Sequence, residues 1–310
     1  MNYPFQLVNY QTPPLTEQTL LRNRPFSKAY NSFANDAKLF VPGEDLEIAI
    51  NTALAVGAPL LITGEPGTGK TQAAYYTAYK LGVEPVLHFQ VKSESSAGDL
   101  LYYFDAVRYF HDAHTQQLSP GETMAKSRYV ERRPLWEAFT SDSPRVLLID
   151  EIDKAPRDFP NDLLHELDKM EFTVAETQER IVATPEMRPV VFITSNSERR
   201  LPEPFLRRCV YHNIRFNEQL VRQAVEQRKE EYSSLSPEFV ELAVRRFLAL
   251  RSRPLRKIPS TGELLVWLRV LATAVGTYPE KLNDNLERLP FIGTLLKDQQ
   301  DIHELGEAHV

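Results

Sequence analysis

A short apolar run, a glycine-rich turn and a helix, met in that order, constrain this chain more than any other feature. Leu60, Leu61 and Ile62 read as a buried strand, and Gly64-Glu65-Pro66-Gly67-Thr68-Gly69-Lys70-Thr71 follows directly. Gln72 to Leu81 then reads as a helix stopped by Gly82. This is the spacing of a phosphate-binding loop held between a strand and a helix. Glycines reach backbone conformations that turn successive N–H groups towards one anion. The new helix adds the positive end of its dipole. Lys70 is placed to reach terminal phosphates, and the Thr71 hydroxyl to ligate Mg²⁺. A chance glycine-rich turn is the alternative, and the flanking strand and helix leave it little room.

A loop of this kind needs a sheet around it, and the chain is long enough to build one. Its 310 residues, 42% of them hydrophobic, allow one large domain and a smaller one. The net charge of −6 gives no general attraction to nucleic acid or to an anionic membrane. Cys209 is the single cysteine, which excludes an intrachain disulfide and a cysteine-rich zinc site. The most apolar segment, Ile48 to Thr63, is broken by Asn51, Thr52 and Pro59. No membrane insertion is therefore expected. The first residues lack a basic region followed by an apolar core, so no secretory signal is read there. The expectation is a soluble cytoplasmic protein.

Residues 1–38 carry scattered prolines and aromatics and are read as an N-terminal extension, either a free arm or a docked strap. Glu44 to Val56 reads as a helix that stops at Gly57. Four strand candidates follow the first: Pro85–Val91, Arg145–Asp150, Pro189–Thr194 and Val210–Phe216. Their apolar density predicts coverage on both faces, and the helical segments between them predict a mostly parallel sheet. Two longer stretches interrupt the alternation. Gly98 to Arg133 surrounds a Pro120-Gly121 loop with aromatics, and Phe172 to Met187 reads as a β-hairpin. Beyond Phe216 the pattern is helical, with a Ser236-Pro237-Glu238 start and a capping box at Ser260-Thr261-Gly262-Glu263. The expected organisation is an extension (1–38), a nucleotide-binding core (39–216, insertions near 98–133 and 172–187) and a helical region (217–310).

A second stretch, Val146 to Glu151, delivers two adjacent carboxylates to the C-terminal end of a strand, where open α/β sheets bind ligands. Asp150 would complete the Mg²⁺ shell with Thr71, and Glu151 would orient and polarise the attacking water. Ile193-Thr194-Ser195-Asn196 repeats the design and offers the Asn196 amide to phosphate and water. Alone it would be an ordinary turn. Leu201 to Cys209 ends a short helix in Arg207 and Arg208. Two readings stand open there: an arginine that stabilises transition-state charge, or a surface pair at a helix C-terminus.

In this order, GEPGTGKT, LLIDEIDKA, ITSN and LPEPFLRRC, followed by helices, resemble an AAA+ ATPase of the MoxR group from about Val41 to Ala274. The resemblance implies an α/β fold: a three-layer αβα core with a five-stranded, mostly parallel sheet, and a smaller all-α C-terminal lid. It implies ATP and Mg²⁺ as cofactors. Gly64, Glu65, Pro66, Gly67, Thr68, Gly69, Lys70 and Thr71, with Val41, would hold the nucleotide, and Thr71 and Asp150 the metal. Glu151 and Asn196 would serve hydrolysis. Arg208, with Arg207 as its substitute, would act on the nucleotide of a neighbouring copy, in a homo-oligomeric ring that is commonly a hexamer. The two insertions would face the pore or the client. The client would be a protein, often one with a von Willebrand factor A domain.

One departure stands out. Where such proteins carry a sensor arginine at the start of a lid helix, this chain has Pro259-Ser260-Thr261-Gly262, and Arg256 or Lys257 is the nearest replacement. Two other functions stay in view. A nucleic-acid-stimulated motor would use Arg128, Arg132 and Arg133 beside Tyr129, although the acidic balance argues against nucleic acid. A nucleotide-gated scaffold with little turnover would be consistent with the missing arginine.

Overall fold

The computed structural model describes residues 33–115, 124–274, 282 and 285–307. Most of the predicted extension and the Pro120-Gly121 loop fall outside the described residues. The chain divides into two compact units, each with its own core.

One unit takes in Pro42–Gly64 and Lys70–Ile214. Its strands are β1 (Leu60–Gly64), β2 (Leu87–Gln90), β3 (Tyr102–Phe104), β4 (Val130–Arg132), β5 (Val146–Asp150), β6 (Glu171–Thr173), β7 (Arg180–Val182), β8 (Val190–Ser195) and β9 (Val210–Ile214). Five of them form the main sheet in the order β2-β5-β8-β1-β9, with every pairing parallel. All five predicted strands are present, most of them shorter than the apolar runs that announced them. Every residue of β5 is buried, whereas β2 and β9 are half-exposed. Coverage on both faces was expected for all five. The outer two lack it: exposed residues alternate along β9 at Tyr211 and Asn213, which marks one open face, and β2 ends exposed at Gln90.

Parallel connectivity brings the C-terminal ends of the strands to one edge of the sheet. Gln90 pairs with Asp150 there, and Ile62 with Thr194. Helices α1 (Glu44–Val56) and α2 (Lys70–Leu81) belong to the same unit, and α2 makes Lys70 and Thr71 its first two residues. The core joins Leu61, Leu147, Ile149, Val191 and Ile193 of the sheet to Trp136, Phe139 and Phe159. Burying each such side chain contributes roughly 1.5–3 kcal/mol.

Both interruptions contain short antiparallel pairs; the hairpin was expected in the second, whereas the pair in the first was not foreseen. β3 pairs with β4, with helix α3 (Ala106–Thr115) between them, and β6 pairs with β7. Tyr102 of the first stacks on Phe172 of the second at 6.4 Å, and its hydroxyl accepts a hydrogen bond from the Ala175 amide at 3.0 Å. The two insertions are thus tied to one another. Helix α4 (Pro134–Thr140) follows β4 and carries Trp136 against the same rings.

The other unit comprises residues 33–41, Glu65–Gly69 and 215–307 of the described chain. Its helices are α5 (Glu218–Gln227), α6 (Pro237–Arg251), α7 (Thr261–Thr273) and α8 (Gln299–Glu307). The predicted helix Asn217–Glu230 ends earlier, at Gln227, and a tight 3₁₀ turn over Lys229–Tyr232 follows. Asn217, Ser236 and Ser260 cap α5, α6 and α7, and Ser260 with Glu263 forms the full reciprocal box. Phe247, Leu264, Trp267 and Leu268 make the core, and the Trp267 indole donates to the Pro290 carbonyl at 2.7 Å. Among the described residues no helix is long and apolar enough to cross a membrane.

Candidate functional site

β1 ends at Gly64 and α2 starts at Lys70, leaving Glu65–Gly69 as the connecting loop. Gly67 and Gly69 have φ values of 72° and 96°, a region open to glycine and strained for other residues. The Thr68 hydroxyl donates to the Glu65 carbonyl at 2.8 Å and braces the turn. Lys70 is buried, and its ammonium donates to the Gly64 carbonyl at 2.8 Å. A cation is therefore held at the mouth of the loop rather than extended into solvent.

Thr71 and Asp150, 79 positions apart, are brought together: the hydroxyl lies 3.1 and 3.2 Å from the two carboxylate oxygens. Asp150 is buried and also accepts from the Thr194 hydroxyl, while His88 Nε2 lies 3.3 Å from its second oxygen. The other His88 nitrogen meets the Tyr75 hydroxyl at 3.0 Å. Burial pushes the Asp150 carboxyl up, but His88, Thr194 and Thr71 together outweigh it and hold the group below the usual carboxylate range. Asp150 is therefore poised as an anion. Thr71 and Asp150 are hard oxygen donors of the kind Mg²⁺ takes beside phosphate oxygens. Among the described residues no group of three His, Cys, Asp or Glu side chains could hold a metal. A divalent ion there would take its remaining ligands from phosphate and water. On donor chemistry, these residues fit a Mg²⁺–nucleotide.

Glu151 sits in a left-handed conformation, φ 60°, just past the end of β5. Its amide donates to Thr194 Oγ1 at 2.9 Å, so one buried hydroxyl serves both acidic residues. Its carboxylate is held on both oxygens. Oε1 accepts from Asn196 Nδ2 at 3.2 Å, and Oε2 accepts from Gln90 Nε2 at 2.7 Å and from the Lys154 ammonium. That hydrogen bond to Glu151 pushes the Lys154 pKa up. Asp153, also buried, accepts from the amides of Asn196 and Glu198 and clamps the turn after β8 to the turn after β5.

Hydrogen bonds within one unit thus link Thr71, Asp150, Glu151 and Asn196, with Thr194 as the bridge, and Lys70 immediately precedes Thr71 at the start of α2. Sequence reasoning missed Gln90, His88, Lys154, Asp153 and Thr194. Thr194 and Gln90 did leave a signal, as polar residues at the C-terminal ends of apolar strands. Arg207 and Arg208 are not joined to this cluster. Arg208 donates to Asp168 at 2.6 Å and to the Pro204 carbonyl at 2.9 Å. Arg207 pairs loosely with Glu203 at 3.3 Å, with a side chain 76% exposed. Val41 is half-buried, and the ring that meets the loop is that of its neighbour: a Cβ on Gly69 would lie 2.6 Å from Phe40.

The proposed replacements for the missing arginine are anchored through their backbone amides. Buried Asp301 accepts from the amides of Arg256 and Lys257 at 2.8 and 3.0 Å, and the exposed Arg256 side chain lies 4.0 Å from Glu304. The arginine that reaches the loop is Arg251, at 2.8 Å from Glu65. Distance along the sequence favoured Arg256 and Lys257, but α6 ends by pointing Arg251 inward.

These features make an α/β fold of the AAA type, in line with a family match over part of the chain. Residues 59–209 match the family described as AAA domain (dynein-related subfamily). Among solved structures, NtrX from Brucella abortus, crystallised in complex with ADP, is 14% identical with a TM-score of 0.50. That match covers 88% of this chain and 62% of the NtrX chain. A "putative ATPase" from Cytophaga hutchinsonii is 13% identical over 88% of this chain and 83% of its own, with a TM-score of 0.40. No curated protein matches the sequence.

Proposed function

We propose that this chain binds and hydrolyses ATP with Mg²⁺, and that it works as a ring that remodels a partner protein, in the manner of the MoxR group. One observation carries the reading. Lys70 and Thr71 open α2, Asp150 and Glu151 lie at the end of β5 and Asn196 follows β8, and each is held by hydrogen bonds in an arrangement that supports phosphoanhydride hydrolysis. The AAA-domain match and the ADP found in NtrX support the choice of nucleotide.

Lys70 would neutralise charge on the terminal phosphates, and its burial strengthens that attraction. Thr71 and Asp150 would hold Mg²⁺, which supplies Lewis acidity to the phosphate oxygens. Glu151 would orient the attacking water and accept its proton, and Asn196, bonded to Oε1, would keep that carboxylate aligned. Of the two arginines, Arg207 is the better suited to act on a neighbouring copy, because Arg208 is committed to Asp168 within its own chain.

Steady-state hydrolysis and nucleotide binding by the purified protein test the reading. Lys70→Ala should abolish tight nucleotide binding, whereas Glu151→Gln should leave binding intact and nearly stop turnover. Wild-type-like hydrolysis by Glu151→Gln would refute the assignment of the base. Absence of binding to any Mg²⁺–nucleotide would refute the whole.

A further inference from the structure

Arg251 is the last residue of α6, and its side chain is only 9% exposed. Three groups of its own compact unit receive the guanidinium. Its carbon lies 3.7 Å from the centre of the Phe216 ring, a close cation–π contact. Nη1 donates to the Pro259 carbonyl, and Nη2 to Glu65 Oε2 at 2.8 Å. Glu65 opens the polyphosphate loop, and Pro259 immediately precedes Ser260, the cap of α7. The same cap touches the loop a second time, since a Cβ on Gly67 would lie 2.4 Å from Ser260 Oγ.

A guanidinium is planar and donates along fixed directions, so with one face on a ring and one nitrogen on a carbonyl it has little freedom left. Its remaining nitrogen then fixes the Glu65 carboxylate in space. Glu65 is half-exposed and opens a loop in which two of five residues are glycines with positive φ, so fixing its carboxylate restricts a backbone with wide conformational choice.

We propose that Arg251 is a positioning residue for nucleotide binding: through Glu65 it sets the conformation of the loop Glu65–Gly69, and with it the affinity for the polyphosphate. The contact is indirect, arginine to carboxylate to loop, and so differs from an arginine that touches phosphate itself. This inference rests on the nucleotide reading above. It makes the end of α6 part of the binding machinery.

The test measures equilibrium binding of a fluorescent ADP with Mg²⁺, and steady-state kcat and KM, on the full chain. The variants are Glu65→Gln, Arg251→Gln, Arg251→Lys and the Glu65→Gln/Arg251→Gln pair. Losing one charge-assisted bond should weaken ADP binding about tenfold in either single variant. The double variant should be no weaker than the singles, because both remove the same link. KM should rise more than kcat falls. Arg251→Lys should recover only part of the loss, since an ammonium cannot stack and fork as guanidinium does. Glu65→Gln keeps the test decisive if Arg251→Gln fails to fold, because Glu65 lies at the surface. Wild-type affinity in Glu65→Gln, or additive losses in the double variant, would overturn this inference alone. Failure of the wild-type protein to bind ADP would overturn the nucleotide reading and this inference with it.

Discussion

Thr194 is the most informative side chain to remove, because one hydroxyl serves both acidic residues. It is fully buried, donates to Asp150 Oδ1 and accepts from the Glu151 amide at 2.9 Å. Thr194→Val keeps the shape and deletes both bonds. Losing a donor to a charged acceptor costs about 1.5–3 kcal/mol, and stranding a buried amide about 1–3 kcal/mol. Both losses fall on one shared centre and do not simply add. The expected destabilisation is therefore about 3 kcal/mol, a fall in Tm of roughly 6–12 °C for a domain of this size. A loosened Asp150 should also raise the Mg²⁺ concentration for half-maximal hydrolysis by about tenfold, equivalent to roughly 1.4 kcal/mol. Thr194→Ser retains the hydroxyl and should restore most of both.

The pH dependence follows from Asp150. A carboxyl held below its ordinary value stabilises the fold above the unfolded-state pKa, and that contribution is lost as pH falls through the folded-state pKa. Thr194→Val moves Asp150 back towards the ordinary value. The gap in stability between variant and wild type should then be full at neutral pH and narrow under acid conditions, as the wild-type carboxylate takes up its proton. Thermal melts between pH 3 and 7, with Mg²⁺ titrations of turnover at neutral pH, are the assays. If Thr194→Val melts with the wild type and shows the same Mg²⁺ dependence, the bridging role assigned to this hydroxyl is wrong.

Other changes probe separate parts of the molecule. Gln90→Leu removes the amide on Glu151 Oε2 and should lower kcat by roughly tenfold through a misaligned base, leaving nucleotide affinity unaltered in the binding assay. Arg207→Ala should cut turnover by about 10³ at ring-forming concentrations without weakening binding, if its guanidinium serves a neighbouring site. Arg208→Ala should show mainly a small loss of stability, since its exposed pair with Asp168 is worth about 0–1 kcal/mol. Equal losses of turnover in both would refute that division. Ser260→Ala breaks the capping box of α7 and should cost about 1 kcal/mol, read as a fall of a few degrees in Tm.

By itself the sequence determined whatever depends on neighbours along the chain. The strand–loop–helix unit from Leu60 to Leu81, the acidic pair after β5, the Ser260 box and the hairpin near Phe172 are local patterns, set by glycine conformations, apolar periodicity and capping geometry. Their chain order was enough to group Lys70, Thr71, Asp150, Glu151 and Asn196. The tertiary structure alone decided which side chains reach across. The contacts of Gln90 with Glu151, of His88 and Thr194 with Asp150, and of Asp153 with the Asn196 turn could not be read beforehand, although Gln90 and Thr194 stand out as polar residues ending apolar strands. Each depends on strand order and on parallel register, which no local pattern encodes. The same holds for Arg251. It was passed over for Arg256 and Lys257 because proximity in sequence is a poor guide to where a helix ends in space.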